Sequence, residues 1–397
     1  MSMAMPIAMA VRMRVADAAG ETHRGLNATN HLHIRGCGPL SETAGLPRTK
    51  EVCMRARIVL SFCLLASSIG LAVAQEAPPP APASASPATS TSADGPTLDT
   101  IVVAGRQPGP GLWKVSKGDH VMWILGTQSP LPKRMDWDSA VVVRRVGEAQ
   151  EVLLPPTSSV HFNVGFFRGL TLLPAAMKIR DNPDGKTLQE VVPPADYARW
   201  LALKQRWIGS DRSVEEWRPV FAAIELYVKA IERSGMTLDT GVTDLVKKTA
   251  KSRGLVPTQP KVEITVQDPK GAMKEFSHAQ VDDLACFRGT MDRIDGDLGA
   301  MAARANAWAT GDIEALRDVP YRTQFAACSE ALTGNAVARK QGMGDLEAQL
   351  ERKWLDAAES ALARNTTTFA VLGMGQLLET DGYLAKLAAK GYVIEEP

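Results

Sequence analysis

The chain has 397 residues, 45% of them hydrophobic and 22% charged, which is enough to bury a large core as one big domain or two small ones. Its net charge of +1 carries no nucleic-acid footprint. Residues 1–74 hold eight Lys/Arg and four Asp/Glu, a net of +4, which leaves −3 for the rest: a mildly acidic body with no reason to bind a polyanion.

Residues 1–53 show no periodicity and contain three of the six histidines, His23, His31 and His33. They read as disordered sequence or as an extension upstream of the true start, which Met54 would provide. From Met54 the pattern of a secretory signal begins. Arg55 and Arg57 are the positive region, Ile58–Leu71 the apolar run, and Ala72-Val73-Ala74 the small-residue cleavage site before Gln75. An uncleaved anchor is the alternative. Residues 75–110 form a Pro/Ala/Ser-rich linker that cannot bury a core, with Ile101-Val102-Val103 as an edge strand within it. The folded domain is expected over 111–397.

Leu112–Ser116 and His120–Leu125, joined by Lys117-Gly118-Asp119, read as a hairpin that ends at Gly126. A helix is expected over Asp136–Glu148 and a buried strand over Glu151–Leu154. The spacing then predicts helices over Leu188–Trp207, Val214–Arg233 and Thr243–Arg253, the last with Thr240 or Thr243 as N-cap. Lys261–Val266 alternates and reads as a strand with one wet face. Gln280–Thr310 is the longest helical stretch, with a break at Gly296 or Gly299. Asp312–Asp318 and Tyr321–Leu332 continue it, and Gly334–Gly344 is loop. Asp345–Arg364 is a further helix. Phe369–Leu372 is an apolar run of the kind buried on both faces of a sheet. It leads into Gly373-Met374-Gly375, and a helix (Tyr383–Lys390) and a strand (Tyr392–Ile394) close the chain.

The two strand-plus-glycine stretches frame the domain and would set Ser129 and Gln376 at the carboxyl edge of a sheet, where open α/β folds bind ligands. In them the chain resembles the TraB/PrgY/GumN family, related to the Tiki proteases. Family members carry Gly-x-x-His after an early strand, a second Gly-x-x-His near the C-terminus and a Glu ending the next strand. Here the motifs read Gly126-Thr127-Gln128-Ser129 and Gly373-Met374-Gly375-Gln376, and Pro155 takes the Glu position. Trp308-Ala-Thr-Gly-Asp312, Gly241-Val242 and Gly391-Tyr392 resemble further pieces of the family pattern. The resemblance implies an α/β or α+β fold, a mainly parallel or mixed central sheet with a large helical insertion, like the TraB/GumN and ChaN-like proteins.

Against that pattern, Gly126, Ser129, Pro155, Gly373 and Gln376 make a vestigial site. A hydroxyl, an amide and a proline cannot offset the dehydration of a transition metal. No metal or other cofactor is therefore expected. A shifted site would have to use Glu151 or Asp136. Serine catalysis by Ser129 would need His120, His161 or His278 beside it. Gln376 either fills the old ligand position, bonded to backbone at the glycine turn, or contacts a ligand. The eight tryptophans default to core packing.

Five cysteines are present without a C-x-x-C pair. Cleavage before Gln75 leaves Cys286 and Cys328, which are expected to form a disulfide in an exported domain. The function these readings lead to is an exported, catalytically degenerate binding or scaffold protein of the cell envelope, periplasmic or secreted. Its partner would be an unidentified envelope protein or peptide, with no nucleic acid, and it would meet the membrane only through an uncleaved signal segment. The alternatives are a metal-dependent hydrolase or peptidase with a shifted site, and a structural envelope protein.

Overall fold

The computed structural model describes residues 105–164, 166–318 and 324–397. The expected extension, signal segment and Ile101–Val103 strand lie outside the described residues. Gln107 and Gly109, at the end of the expected linker, are bonded into the domain: Gln107 N–H donates to the Asp136 carbonyl (2.9 Å) and Gly109 N–H to that of Ala309 (2.8 Å).

The strands are β1 (Leu112–Lys117), β2 (His120–Thr127), β3 (Leu131–Pro132), β4 (Glu151–Leu153), β5 (Thr157–Phe162), β6 (Met236–Thr237), β7 (Lys261–Val266), β8 (Thr367–Gly373) and β9 (Val393–Glu395). Five of them build a mixed sheet in the order β4-β8-β2-β1-β9. β8 runs parallel to both β2 and β4, while β1 runs antiparallel to β2 and β9. The central place of β8 follows from its sequence. Every residue from Thr368 to Gly373 is buried, so the strand has no face to give to water. The fold class is thus α/β with a mixed open sheet, and the segment between β4 and β8 is the large helical insertion.

Helices α1 (Ala140–Glu148) and α2 (Phe166–Met177) are followed by α3 (Leu188–Val191) and α4 (Pro194–Trp207). The single helix expected over 188–207 is split because Pro193 and Pro194 cannot donate to a preceding turn, and Pro194 instead starts α4. Pro219 likewise starts α5 (Pro219–Arg233), after a 3₁₀ turn at Ser213–Glu216. The N-cap of α6 (Val242–Ser252) is neither threonine but Gly241, at φ +68°. α7 (Pro269–His278) precedes α8 (Leu284–Gly296), which starts four residues later than expected. The reason is Asp283, whose carboxylate accepts from Val220 N–H (3.1 Å) and so caps α5. Burial pushes that carboxyl up to about 6, against the Val220 hydrogen bond and the charge of Arg218.

α8 ends at Gly296, one of the two expected break points, and Asp297 separates it from α9 (Leu298–Thr310). The Asp297 carboxylate pairs with buried Arg304 at 3.1 Å and with Arg293 at 3.7 Å. α10 (Ile313–Asp318) and α11 (Gln324–Thr333) follow. The expected 334–344 loop contains α12 (Ala336–Lys340), because the Asn335 side chain accepts from Ala338 N–H and nucleates a turn. α13 (Leu346–Arg364) is the expected long helix, and α14 (Met374–Leu378) and α15 (Tyr383–Ala389) close the helical set.

Among the described residues two large apolar cores result, with a small third cluster of Val262, Ile264 and Leu350. One packs the sheet against α1, α6, α13 and the end of α9, with Trp113, Trp308 and Trp354 inaccessible to water. The other lies among α4, α5, α8 and α11, around Trp200 and Phe287. It carries the bond between Cys286 of α8 and Cys328 of α11. β5 and β7 pair in a separate parallel ribbon, and the alternation expected of β7 is present, with Val262, Ile264 and Val266 buried.

The two cores are not equally concerned with the sheet edge. Trp308 donates its indole Nε1–H to the Gly126 carbonyl at 2.7 Å, across 182 positions of sequence. The residues after it continue the job. Gly311, at φ +75°, ends α9 in the left-handed conformation, and Asp312 Oδ1 accepts from Ala315 N–H to start α10. A tryptophan followed by Thr-Gly-Asp therefore pins the edge, stops one helix and caps the next.

Replacing Trp308 with Phe keeps the ring in place but leaves the buried Gly126 carbonyl without that donor. Urea unfolding should show a loss of about 1–3 kcal/mol; a change within experimental error would mean the bond supports nothing. Cys286→Ser with Cys328→Ser opens a 42-residue link and should cost about 4 kcal/mol in the chain-entropy description. Thiol labelling of unreduced, unfolded protein spanning residues 75–397 should find no free thiol, and two free thiols would contradict the pairing.

Candidate functional site

The carboxyl edge of the sheet is set by register. Gly126 pairs with Leu372 and Thr127 with Gly373, so the two glycine motifs leave adjacent parallel strands side by side. Gly126 leaves room for the side chains of the helix that follows β8. A Cβ on it would lie 2.6 Å from Met374 Cε and 3.0 Å from Leu377 Cδ1, and its carbonyl is held by Trp308. Thr127 Oγ1 donates to the Leu372 carbonyl (3.1 Å), tying the two strand ends together once more.

Beyond Thr127 the chain turns away with Gln128 buried and the Ser129–Pro130 peptide cis. Ser129 Oγ donates to the Leu238 carbonyl at 3.0 Å. Its hydroxyl is thereby committed to backbone and not to an imidazole. His120 is at the opposite end of β2, about 23 Å of strand away at roughly 3.3 Å per residue, with Nδ1–H donating to the Asn365 carbonyl. His161 lies on β5 and shares a hydrogen bond with Ser159. Neither geometry supplies a base to Ser129.

On the neighbouring strand Gly373 is both the last residue of β8 and the N-cap of α14, in extended backbone. Gln376 is the third residue of that helix. Its Oε1 accepts from Gly373 N–H at 3.0 Å, and its Nε2 donates to the Tyr383 hydroxyl at 3.3 Å. The amide thus closes the glycine turn on one side and meets α15 on the other. Burial and the carboxylates of Glu351, Glu379 and Glu347 push the Tyr383 hydroxyl up, so it stays a neutral hydrogen-bonding group. Tyr383 stands edge-on to Trp354 of α13 with ring centroids 5.3 Å apart.

Pro155 follows β4 on the far side of β8. Leu153 pairs with Ala370, so a ladder continued two residues would set position 155 opposite Leu372, level with Gly126. The ladder does not continue. Leu154 N–H donates to the Thr258 carbonyl, and the Pro155 carbonyl accepts from Gln259 Nε2, both outside the sheet. Pro155 has no N–H to offer β8, and the chain leaves the edge here.

The two carboxylates named for a shifted site stand in different places. Glu151 begins β4 at the other end of the sheet. Burial raises its carboxyl, but hydrogen bonds from Arg364, Asn365 and Thr258 outweigh that and hold it below the usual range. Asp136 lies with Trp137, Ser139 and Gly241 around a small hollow of about 210 Å³. Among the described residues, no three His, Cys, Asp or Glu side chains are grouped so as to hold a metal ion. The donor set at the edge is a hydroxyl, an amide and a proline, which does not fit a transition metal.

The larger concave surface opens beside Gln376. This cleft of about 620 Å³ is lined by Gln376 and Tyr383, and by Glu347, Glu351, Glu379 and Asp381 among others. Lys386 reaches into it and bonds Glu351 at 2.5 Å. Of the eight tryptophans, five are buried and Trp123, Trp137 and Trp217 are half-buried. Sequence reasoning missed Tyr383 and Leu238 as partners of the two altered positions. It named Trp308 within a motif but not the carbonyl that the indole holds. A glycine that precedes a polar turn and a distant Trp-x-x-Gly-Asp was the available signal for that contact.

No curated protein and no solved structure matches the chain significantly. A sequence model of the TraB/PrgY/gumN family matches residues 111–396, the span of the sheet, both glycine motifs and the helical insertion. On that match, and with its strand-end glycines side by side, the chain belongs to the TraB/PrgY/gumN family.

Proposed function

We propose that the chain is an exported, catalytically degenerate family member that acts as a binding or scaffold protein in the cell envelope. The observation that carries the reading is the local closure of the edge. Ser129 is bonded to Leu238, Gln376 to Gly373 and Tyr383, and Pro155 offers no donor. Side chains satisfied in this way have little left for substrate chemistry. The frame that would align a metal is kept, and the groups that would bind it are replaced. The cleft beside Gln376 is where this reading puts a partner, because it is the concave surface next to the altered edge.

Export rests on the residue pattern of 54–74, and the Cys286–Cys328 bond supports it, since such bonds persist in oxidising compartments. A protein anchored or released there is periplasmic or secreted.

The test restores what is missing. Wild-type protein should purify without stoichiometric zinc or manganese by elemental analysis. Ser129→His, Pro155→Glu and Gln376→His together should raise the content to about one ion per chain, because two imidazoles return beside the adjoining ends of β2 and β8 and a carboxylate returns just past β4. Activity need not return, since the groups that orient the ligands have also changed. Wild-type protein that carries a metal and loses hydrolysis in chelator would overturn the reading.

A further inference from the structure

Helix α2 is out of keeping with the rest of the surface. Its sequence, Phe-Phe-Arg-Gly-Leu-Thr-Leu-Leu-Pro-Ala-Ala-Met, holds one charged residue, Arg168. Leu172 is buried, but Leu173 and Met177, one turn apart, are 41% and 66% exposed. Two large apolar side chains left uncovered on one helical face mark a contact surface more often than a neutral one.

The surroundings of this face are basic. Lys178 and Arg180 follow directly and are exposed, Arg180 lying over the Trp217 ring at 4.1 Å. α7, which packs along α2, adds exposed Lys270 and Lys274 one turn apart. The acids of α7 and its cap are already engaged: Asp268 accepts from Gly271 N–H and Glu275 pairs with Lys340 at 3.1 Å. Asp181 lies near Lys178 and Arg180, whereas Lys270 and Lys274 are exposed beside the uncovered apolar face, a surface that an anionic interface would complement.

We propose that α2 docks on a bilayer surface that carries anionic lipid, with Leu173 and Met177 entering the headgroup boundary and Lys178, Lys270 and Lys274 facing lipid phosphates. Charge decides between this occupant and a second copy of the chain. A twofold contact through α2 would bring this basic rim towards its own copy, whereas an anionic surface complements it. Length decides the mode. The twelve residues of α2 extend about 18 Å, too short to cross a bilayer, and no helix among the described residues is long and apolar enough to do so. The helix lies on the surface. This departs from the expectation that the chain meets the membrane only through residues 54–74, and it stands whether or not the sheet edge binds metal.

Hydrogen exchange of the full chain tests it, with vesicles of phosphatidylcholine alone and of phosphatidylcholine mixed with phosphatidylglycerol. Amides of Phe166–Met177 should gain protection with the mixed vesicles only. In flotation, Leu173→Gln with Met177→Gln should weaken binding to the mixed vesicles by about tenfold or more, and Lys270→Glu with Lys274→Glu by about as much. The apolar run at 58–71 can itself hold vesicles, so local protection and the difference between variants are the readouts. Should a variant fail to fold, the wild-type exchange pattern alone decides. The proposal is overturned if α2 gains no protection, if all folded variants bind vesicles equally, or if α2 is protected without vesicles as protein concentration rises, which would assign the face to a second copy.

Discussion

The edge of the sheet depends on one close approach. β2 and β8 end side by side in parallel register, and position 126 has no side chain, which lets Met374 and Leu377 of the following helix sit against the backbone of β2. The same backbone carbonyl then takes the indole N–H of Trp308, from the end of α9. Three distant segments meet at one glycine: the early strand, the end of α9 within the insertion, and the C-terminal strand–helix unit. A buried carbonyl without a donor is costly, and a methyl at this position would push Met374 aside. The geometry of the edge is therefore a packing property, independent of the chemistry of its polar residues.

The polar residues at the edge find their partners within the chain. Gln376 satisfies the N–H of Gly373 and meets Tyr383, so the start of α14 is capped. Ser129 finds a carbonyl on the neighbouring segment after α5. Pro155 has no ladder donor at the point where β4 leaves β8. A hydroxyl and an amide bonded in this way carry no charge that needs an ion to neutralise it.

Much of the fold was legible because its strongest signals are local. The apolar run Phe369–Leu372 could only be a strand without a wet face, and Lys261–Val266 alternates as a half-exposed strand must. The Cys286–Cys328 pairing followed from counting. Other features were illegible because their causes are distant in sequence. β5 was missed since Thr-Ser-Ser-Val-His-Phe neither alternates nor is fully buried, and its parallel partner lies some hundred residues on. The break after Gly296 was readable, but the ion pair that Asp297 makes there with Arg304 was not. At the site, the motif positions could be read, but their partners could not. Leu238 lies 109 positions from Ser129 and Trp308 lies 182 from Gly126, separations that only the folded chain brings together.

The central claim is that the sheet edge is closed by its own hydrogen bonds. Amide NMR of the mature protein with added Mn²⁺ addresses it directly, because a bound paramagnetic ion broadens the amides around it. The account predicts that the amides of Gly126–Ser129 and Gly373–Gln376, and the side-chain amide of Gln376, stay sharp at one equivalent of Mn²⁺. Selective broadening of those signals at that ratio, reversed by chelator, would contradict it.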